Sequence, residues 1–114
     1  AEIPNTNLHG TMFGGSIAAL GLLAGWGLVR LGLRQEGIEP DVVVQRTLTE
    51  YVKPVEGDAV AIALTPDPGE WARFLKAVRR RKRGRILLEI QVRGVDSETP
   101  DTVMDAWFVA VDKG

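Results

Sequence analysis

Eighteen consecutive residues, Met12 to Val29, carry no charge, and Arg30 is the first to break the run. Ahead of it stands a polar, glycine-punctuated stretch, "NTNLHGTMFGG". The change from one to the other predicts a helix from about Phe13 to Leu33, capped by Thr11 or Ser16 and broken where "RQEGIEP" brings in Gly37 and Pro40. A helix apolar on all sides is either the core of a soluble fold or a membrane span, and about eighteen residues is the lower limit of a span. Here Gly14, Gly15, Gly21, Gly25 and Gly27 dilute the run, and nothing before it resembles the basic start of a signal peptide. The rest of the chain is amphipathic, with no second such run. The pattern predicts a buried helix and no membrane partner.

Downstream the period changes. "DVVVQRTLTEYVKPV" is rich in β-branched residues and predicts a long strand ending at Pro54. "EGD" turns the chain into "AVAIAL", a second strand expected to form a hairpin with the first. "TPDPGEWARFLKAVRRRKRG" predicts a second helix: Asp67 at the N-cap, Pro68 at N1 and Glu70 at N3 form the capping-box pattern. Its apolar stripe is Trp71, Phe74 or Leu75, and Val78, and Gly84 is its expected stop. "RILLEIQVRGV" and "TVMDAWFVAVD" read as two more strands joined through "DSETPD", while "AEIP" is the tail of a strand at most. This order predicts an α+β fold, an antiparallel sheet of at least four strands wrapped around the first helix.

At 114 residues the chain is one domain, residues 1–114, and its 45% apolar and 25% charged residues exclude wholesale disorder. The absence of cysteine excludes disulfides, thiolate nucleophiles and cysteine metal sites, and it fits a cytoplasmic protein. The net charge of −1 conceals an asymmetry. Residues 76 to 85, "KAVRRRKRGR", carry seven of the fourteen basic residues and no acid, so the remainder sums to −8 (−1 minus +7). Such an edge suits a phosphorylated or acidic partner; alternatively its cations offset a helix dipole. No aromatic residue interleaves the run to stack on bases, which argues against nucleic acid.

The polar stretch carries the candidate chemistry. A helix start presents unpaired N–H groups and the positive end of the dipole, and Gly14 and Gly15 leave that backbone open to close approach. Such a site suits an anion, or a carbonyl oxygen gaining charge during acyl transfer. Asn5, Asn7 and His9 stand just upstream; equally, these residues build the turn and cap the helix. "GTMFGGS" lacks the lysine of a phosphate-binding loop, and no βαβ unit for a dinucleotide is visible.

Asn7, Gly10, Phe13, Gly14 and Gly15 resemble the pattern Asn-x-x-Gly-x-x-His-Gly-Gly that opens the central helix of hotdog-fold thioesterases. "NLHGTMFGGSIAALGLLAGWGLV" followed by "VVVQRTLTEYVKPVEGDAV" is similar to one branch in particular, the thioesterase domain also found at the C-terminus of GNAT-type acetyltransferase fusions. The likeness runs from about Ile3 to Val111. It implies a homodimer whose sheets run on side by side, with active sites at the interface below the helix start and no cofactor or metal. It also implies acyl-CoA or acyl-carrier-protein thioesters as substrates. The Gly14 amide would take the oxyanion role and Asn7 would place the thioester or water, with Phe13 and Gly15 against the substrate.

The sequence departs from that pattern in three places. Phe13 replaces the histidine, Leu22 stands where relatives carry a carboxylate, and the first hotdog strand, expected upstream of "AEIP", is missing, so a truncated first strand is expected. The general base is therefore open between His9, the side chain that titrates near neutrality, and Glu50 on the long strand. Alternation puts Thr47, Thr49 and Tyr51 on one face and Leu48, Glu50 and Val52 on the other, and only one set lines the site. Arg83 and Arg85 are expected to meet the phosphates of coenzyme A or an acidic carrier protein. The reading is an acyl-thioester hydrolase. Its rivals are a domain that binds acyl-CoA or acyl carrier protein without turnover, and a dimerisation domain serving an attached enzyme.

Overall fold

The computed structural model describes residues 2–5, 14–53, 55 and 58–114, with the backbone alone at 2–5, 14 and 15. The elements are β1 (Glu2–Asn5), α1 (Gly14–Gln35), β2 (Pro40–Tyr51), β3 (Ala59–Ala63), α2 (Pro68–Arg81), β4 (Arg83–Gly94) and β5 (Thr102–Asp112). All five strands join one antiparallel sheet in the order β1-β3-β4-β5-β2. The α+β architecture with a sheet packed on a long first helix is as the sequence predicts, and Glu2–Asn5, where "AEIP" predicts a strand's tail at most, forms the edge strand β1.

The sheet turns alternate residues toward α1: Ala61 and Ala63 from β3, Ile90 and Val92 from β4, Met104, Ala106 and Phe108 from β5. These bury Ile17, Leu20, Ala24, Val29 and Leu33 of the helix. The helix lies close because it is grooved. A Cβ added at Gly25 would come within 2.8 Å of Ile90 Cδ1 and the Phe108 ring, and one at Gly21 within 3.2 Å of Met104. The Trp26 indole donates to the Val42 carbonyl at 3.0 Å and ties α1 to the start of β2. Gly37, at φ 79°, ends the helix: its N–H reaches the Arg34 carbonyl while that of Ile38 reaches Leu33.

Ser16–Gln35 is long and apolar enough to cross a membrane by length and composition. One side of it nevertheless forms the core. The opposite side is open, contrary to the expectation of burial nearly all round: Leu23 is 50% and Leu31 57% exposed, because the sheet covers the helix from one direction only.

Two local expectations are corrected. β2 does not form a hairpin with β3; it pairs along its twelve residues with β5, while β3 lies between β1 and β4. A five-residue strand cannot pair a twelve-residue one over its length, and β5, with eleven, can. Gly84 does not stop α2 either. The helix ends at Arg81 with Lys82 as a left-handed cap, and Gly84 lies within β4. A Cβ there would meet Val78 at 2.8 Å and Phe74 at 3.0 Å, so Gly84 is what lets α2 lie against β4. The N-cap is as expected, with the Asp67 carboxylate accepting from the Gly69 N–H at 3.1 Å. Arg79 then links α2 to α1 through the Glu36 carboxylate at 3.0 Å and carbonyl at 3.2 Å.

Filling the groove of α1 should be costly. Gly25→Val is expected to lower stability by about 1–3 kcal/mol through overpacking, read as a lower urea midpoint. A midpoint equal to or above that of the unaltered protein would mean the helix does not sit this close to Ile90 and Phe108.

Candidate functional site

The site is built where α1 begins. Its first turn, from Gly14 and Gly15, holds no acidic side chain, so its N–H groups face no carboxylate from the helix itself. Gly21 lies over Met104, and one turn toward the helix start brings the chain above the level of Thr102, which is paired with Val92 and Tyr51. The start of the helix thus lies toward the strand ends of β2, β4 and β5. Asn7, His9, Gly10 and Phe13 lie outside the described residues.

Register answers which face of β2 looks at this end. Thr49 pairs with the buried Met104 and Tyr51 with the buried Thr102, so Thr47, Thr49 and Tyr51 share the helix side. Leu48 pairs with Asp105 and Glu50 with Val103, on the opposite face. Glu50 accordingly lines a shallow outer depression of about 440 Å³ with Leu48, Glu89 and Asp105. Plain alternation from the buried Val42 would have put it on the helix side. A bulge at Gln45, between Val44 opposite Phe108 and Arg46 opposite Trp107, inverts the alternation.

Arg83 and Arg85 are likewise on the outer face, opposite Val111 and Val109. Seven residues of β5 separate Thr102 from Val109, roughly 23 Å at the usual strand rise. Within one subunit these arginines and Gly14 therefore do not meet. Elsewhere in the basic segment, Arg79 is engaged with Glu36, and Lys82 reaches Asp112 at 3.5 Å and the Gly114 carbonyl at 3.4 Å.

Two residues at the strand ends were not singled out from the sequence. Thr102 is fully buried on the helix side, and its hydroxyl has no hydrogen-bond partner among the described residues. Asp101, 2% exposed, ties three segments together. Its carboxylate accepts from the Gly94 N–H at 2.7 Å and the Ser97 hydroxyl at 3.3 Å, and it pairs with Lys53 at 3.2 Å. Its carbonyl accepts from Val52 and Lys53. Both lie within "DSETPD" and the strand after it, which offer no motif; only burial identifies them.

An antiparallel sheet packed on one long helix with a glycine-bearing start defines this as a hotdog-fold protein of the thioesterase type. Solved structures share it. A Chlorobaculum tepidum protein of unknown function superimposes with a TM-score of 0.83 at 30% identity, over 98% of this chain and 75% of that one. A candidate thioesterase from Shewanella oneidensis gives 0.78 at 27%, over 96% and 74%. A Bacillus halodurans protein solved with CoA gives 0.67 at 20%, over 96% and 65%. The chain belongs to the family described as "Putative thioesterase (yiiD_Cterm)", whose model matches residues 1–108.

Asp101 holds the wall beside the site. Asp101→Ala would leave the Gly94 N–H buried without an acceptor, a loss of about 1–3 kcal/mol. Urea unfolding should show that loss as a lower midpoint at an unchanged slope; a change below about 0.5 kcal/mol would mean these contacts hold nothing.

Proposed function

We propose that this chain is an acyl-thioester hydrolase acting on acyl-CoA or acyl-carrier-protein thioesters, at a site completed by a second copy of the chain. The observation that carries the reading is the start of α1 at Gly14, with no acidic side chain in its first turn, in a chain of a thioesterase family. The CoA in the Bacillus halodurans relative supports the choice of carrier. The Gly14 N–H donates to the carbonyl oxygen as it gains charge. Phe13 and Gly15 flank the acyl group, and Asn7 positions the attacking water. His9 takes the water's proton. The tetrahedral intermediate then expels the thiolate, which recovers a proton, and the products are a carboxylic acid and a free thiol.

Glu50, on the other face of the sheet, is left out of this site, as are Arg83 and Arg85. A second subunit has a place to dock. Among the described residues β2 is a sheet edge with one side unpaired, and Val44, Tyr51, Leu23 and Trp26 are exposed beside it. The cytoplasm, where coenzyme A thioesters are used, is the compartment this reading assigns. One observation favours the rival of binding without turnover: Leu22 packs against the core where a carboxylate would serve as base.

Thiol release from a panel of acyl-CoAs, with binding measured in parallel, separates the two. Gly14→Val is expected to cut kcat by about 10²–10³, and Asn7→Ala to lower kcat more than it raises KM. His9→Ala should remove the limb near neutrality from the pH–rate profile, whereas Glu50→Gln should leave that profile as it was. Binding without any thiol release establishes the rival, and full turnover in Gly14→Val and Asn7→Ala means the site lies elsewhere.

A further inference from the structure

Arg30 ends the uncharged run of α1, and its setting is unusual for a surface cation. It is half-buried, its guanidinium lies 5.3 Å from the centroid of the exposed Trp26 ring, and no ion pair engages it among the described residues. Stacking on an indole orients the guanidinium plane and leaves its N–H fork open. That fork suits a carboxylate or a phosphate. Trp26 is itself fixed, since its indole is bonded to the Val42 carbonyl near the beginning of β2. The start of α1 lies toward the other end of that strand, where Tyr51 pairs with Thr102. Gly14 and Arg30 are sixteen residues apart (30 minus 14), roughly 24 Å along one helix.

Pairing of β2 with its own copy changes that separation. For the helices of both copies to share one face of the joined sheet, the two-fold axis stands perpendicular to the sheet, and the two β2 strands run antiparallel. The beginning of one β2 then lies beside the end of the other. The Trp26–Arg30 stack of one subunit is thereby carried to the level at which α1 of the other begins. β5 and its copy lie three strand spacings apart, roughly 14 Å, a gap that an arginine on one helix reaches into from the side. The carboxylates on and beside that end of β2 do not take it. Glu50 is on the opposite face, and Asp101 is bound to Gly94, Ser97 and Lys53. A simple acyl thioester is neutral, so the anion either substrate class brings is the phosphate borne on its pantetheine arm. We propose that Arg30, held by Trp26, completes the site of the neighbouring subunit by binding that phosphate while the thioester lies at the neighbour's Gly14 N–H. The inference rests on the hydrolase reading and on pairing through β2, and it adds the residue that recognises the carrier. Arg30 takes the role that Arg83 and Arg85, on the outer face, are not placed to fill.

Acyl-CoA compared with acyl-pantetheine, which lacks the phosphate, separates this role from a structural one. Arg30→Ala should raise KM for acyl-CoA by about 10- to 100-fold, so that the preference for acyl-CoA over acyl-pantetheine disappears. An equal loss on both substrates, or no loss on either, overturns the proposal. Acyl-phosphopantetheine identifies the source: a loss matching that on acyl-CoA assigns the phosphate that coenzyme A and carrier protein share, and a loss on acyl-CoA alone assigns the nucleotide phosphates. Either supports the role of Arg30. Mixed dimers, purified through two different tags, test the crossing. With Gly14→Val in one subunit and Arg30→Ala in the other, they hold one whole site if Arg30 acts across the interface and none if it acts along its own helix. At acyl-CoA below KM they should show about half the unaltered turnover, and a rate no higher than that of the two parent variants overturns the crossing. If the unaltered protein releases no thiol, the hydrolase reading falls by itself, and calorimetry with coenzyme A decides in its place. A dissociation constant raised by Arg30→Ala supports the phosphate contact, and an unchanged one overturns it.

Discussion

Everything in this molecule is referred to the contact between one face of α1 and the middle of the sheet. Where Gly21 and Gly25 pass over Met104, Ile90 and Phe108, the helix backbone comes nearer to the strands than any side chain would allow. That closeness sets the height of the helix axis over the strands, and with it the height of the helix start. The remaining elements brace this seat. The Trp26 indole pins α1 to β2, and Arg79 holds α2 to the α1 terminus. Asp101 gathers the strand ends beneath the site. An open helix start performs chemistry only if it is held still, because hydrogen-bond donors act through preorganisation.

The basic segment shows how one stretch of like charge divides its labour once folded. Arg79 and Lys82 pair with carboxylates at the ends of two elements, Glu36 after α1 and Asp112 at the close of β5. Arg85 turns the other way and lies against Trp107. A sequence shows the density of charge in such a run; alternation along β4 decides which side of the sheet each cation serves.

Much of the fold was legible because its signals were long-range averages. The uncharged run announced a core helix, Asp67 and Pro68 announced α2, and β-branched density announced the strands. The misreadings all turn on which element meets which. "EGD" looked like a hairpin turn because nothing local says that β2 matches β5 in length. Gly84 looked like a helix stop because a glycine needed for the approach of another element is spelled the same way. The helix start of the candidate site was legible from Gly14 and Gly15, whereas the face of Glu50 was not, since one unpaired residue at Gln45 is invisible to a count of alternating positions.

That bulge has a wider consequence. A strand with a bulge carries two opposite codes for inside and outside, one on each side of the extra residue, and losing the extra residue converts one code to the other. In this chain Thr47, Thr49 and Tyr51 would exchange faces with Arg46, Leu48 and Glu50 without a single amino acid being replaced. Because β2 is a sheet edge, only its pairing with β5 would need to adjust. A lineage built on this frame can therefore acquire or lose a carboxylate beneath its central helix by a one-codon deletion or insertion. Comparisons that count substitutions at aligned positions would record almost no change, while the polarity of the strand beside the helix start had reversed.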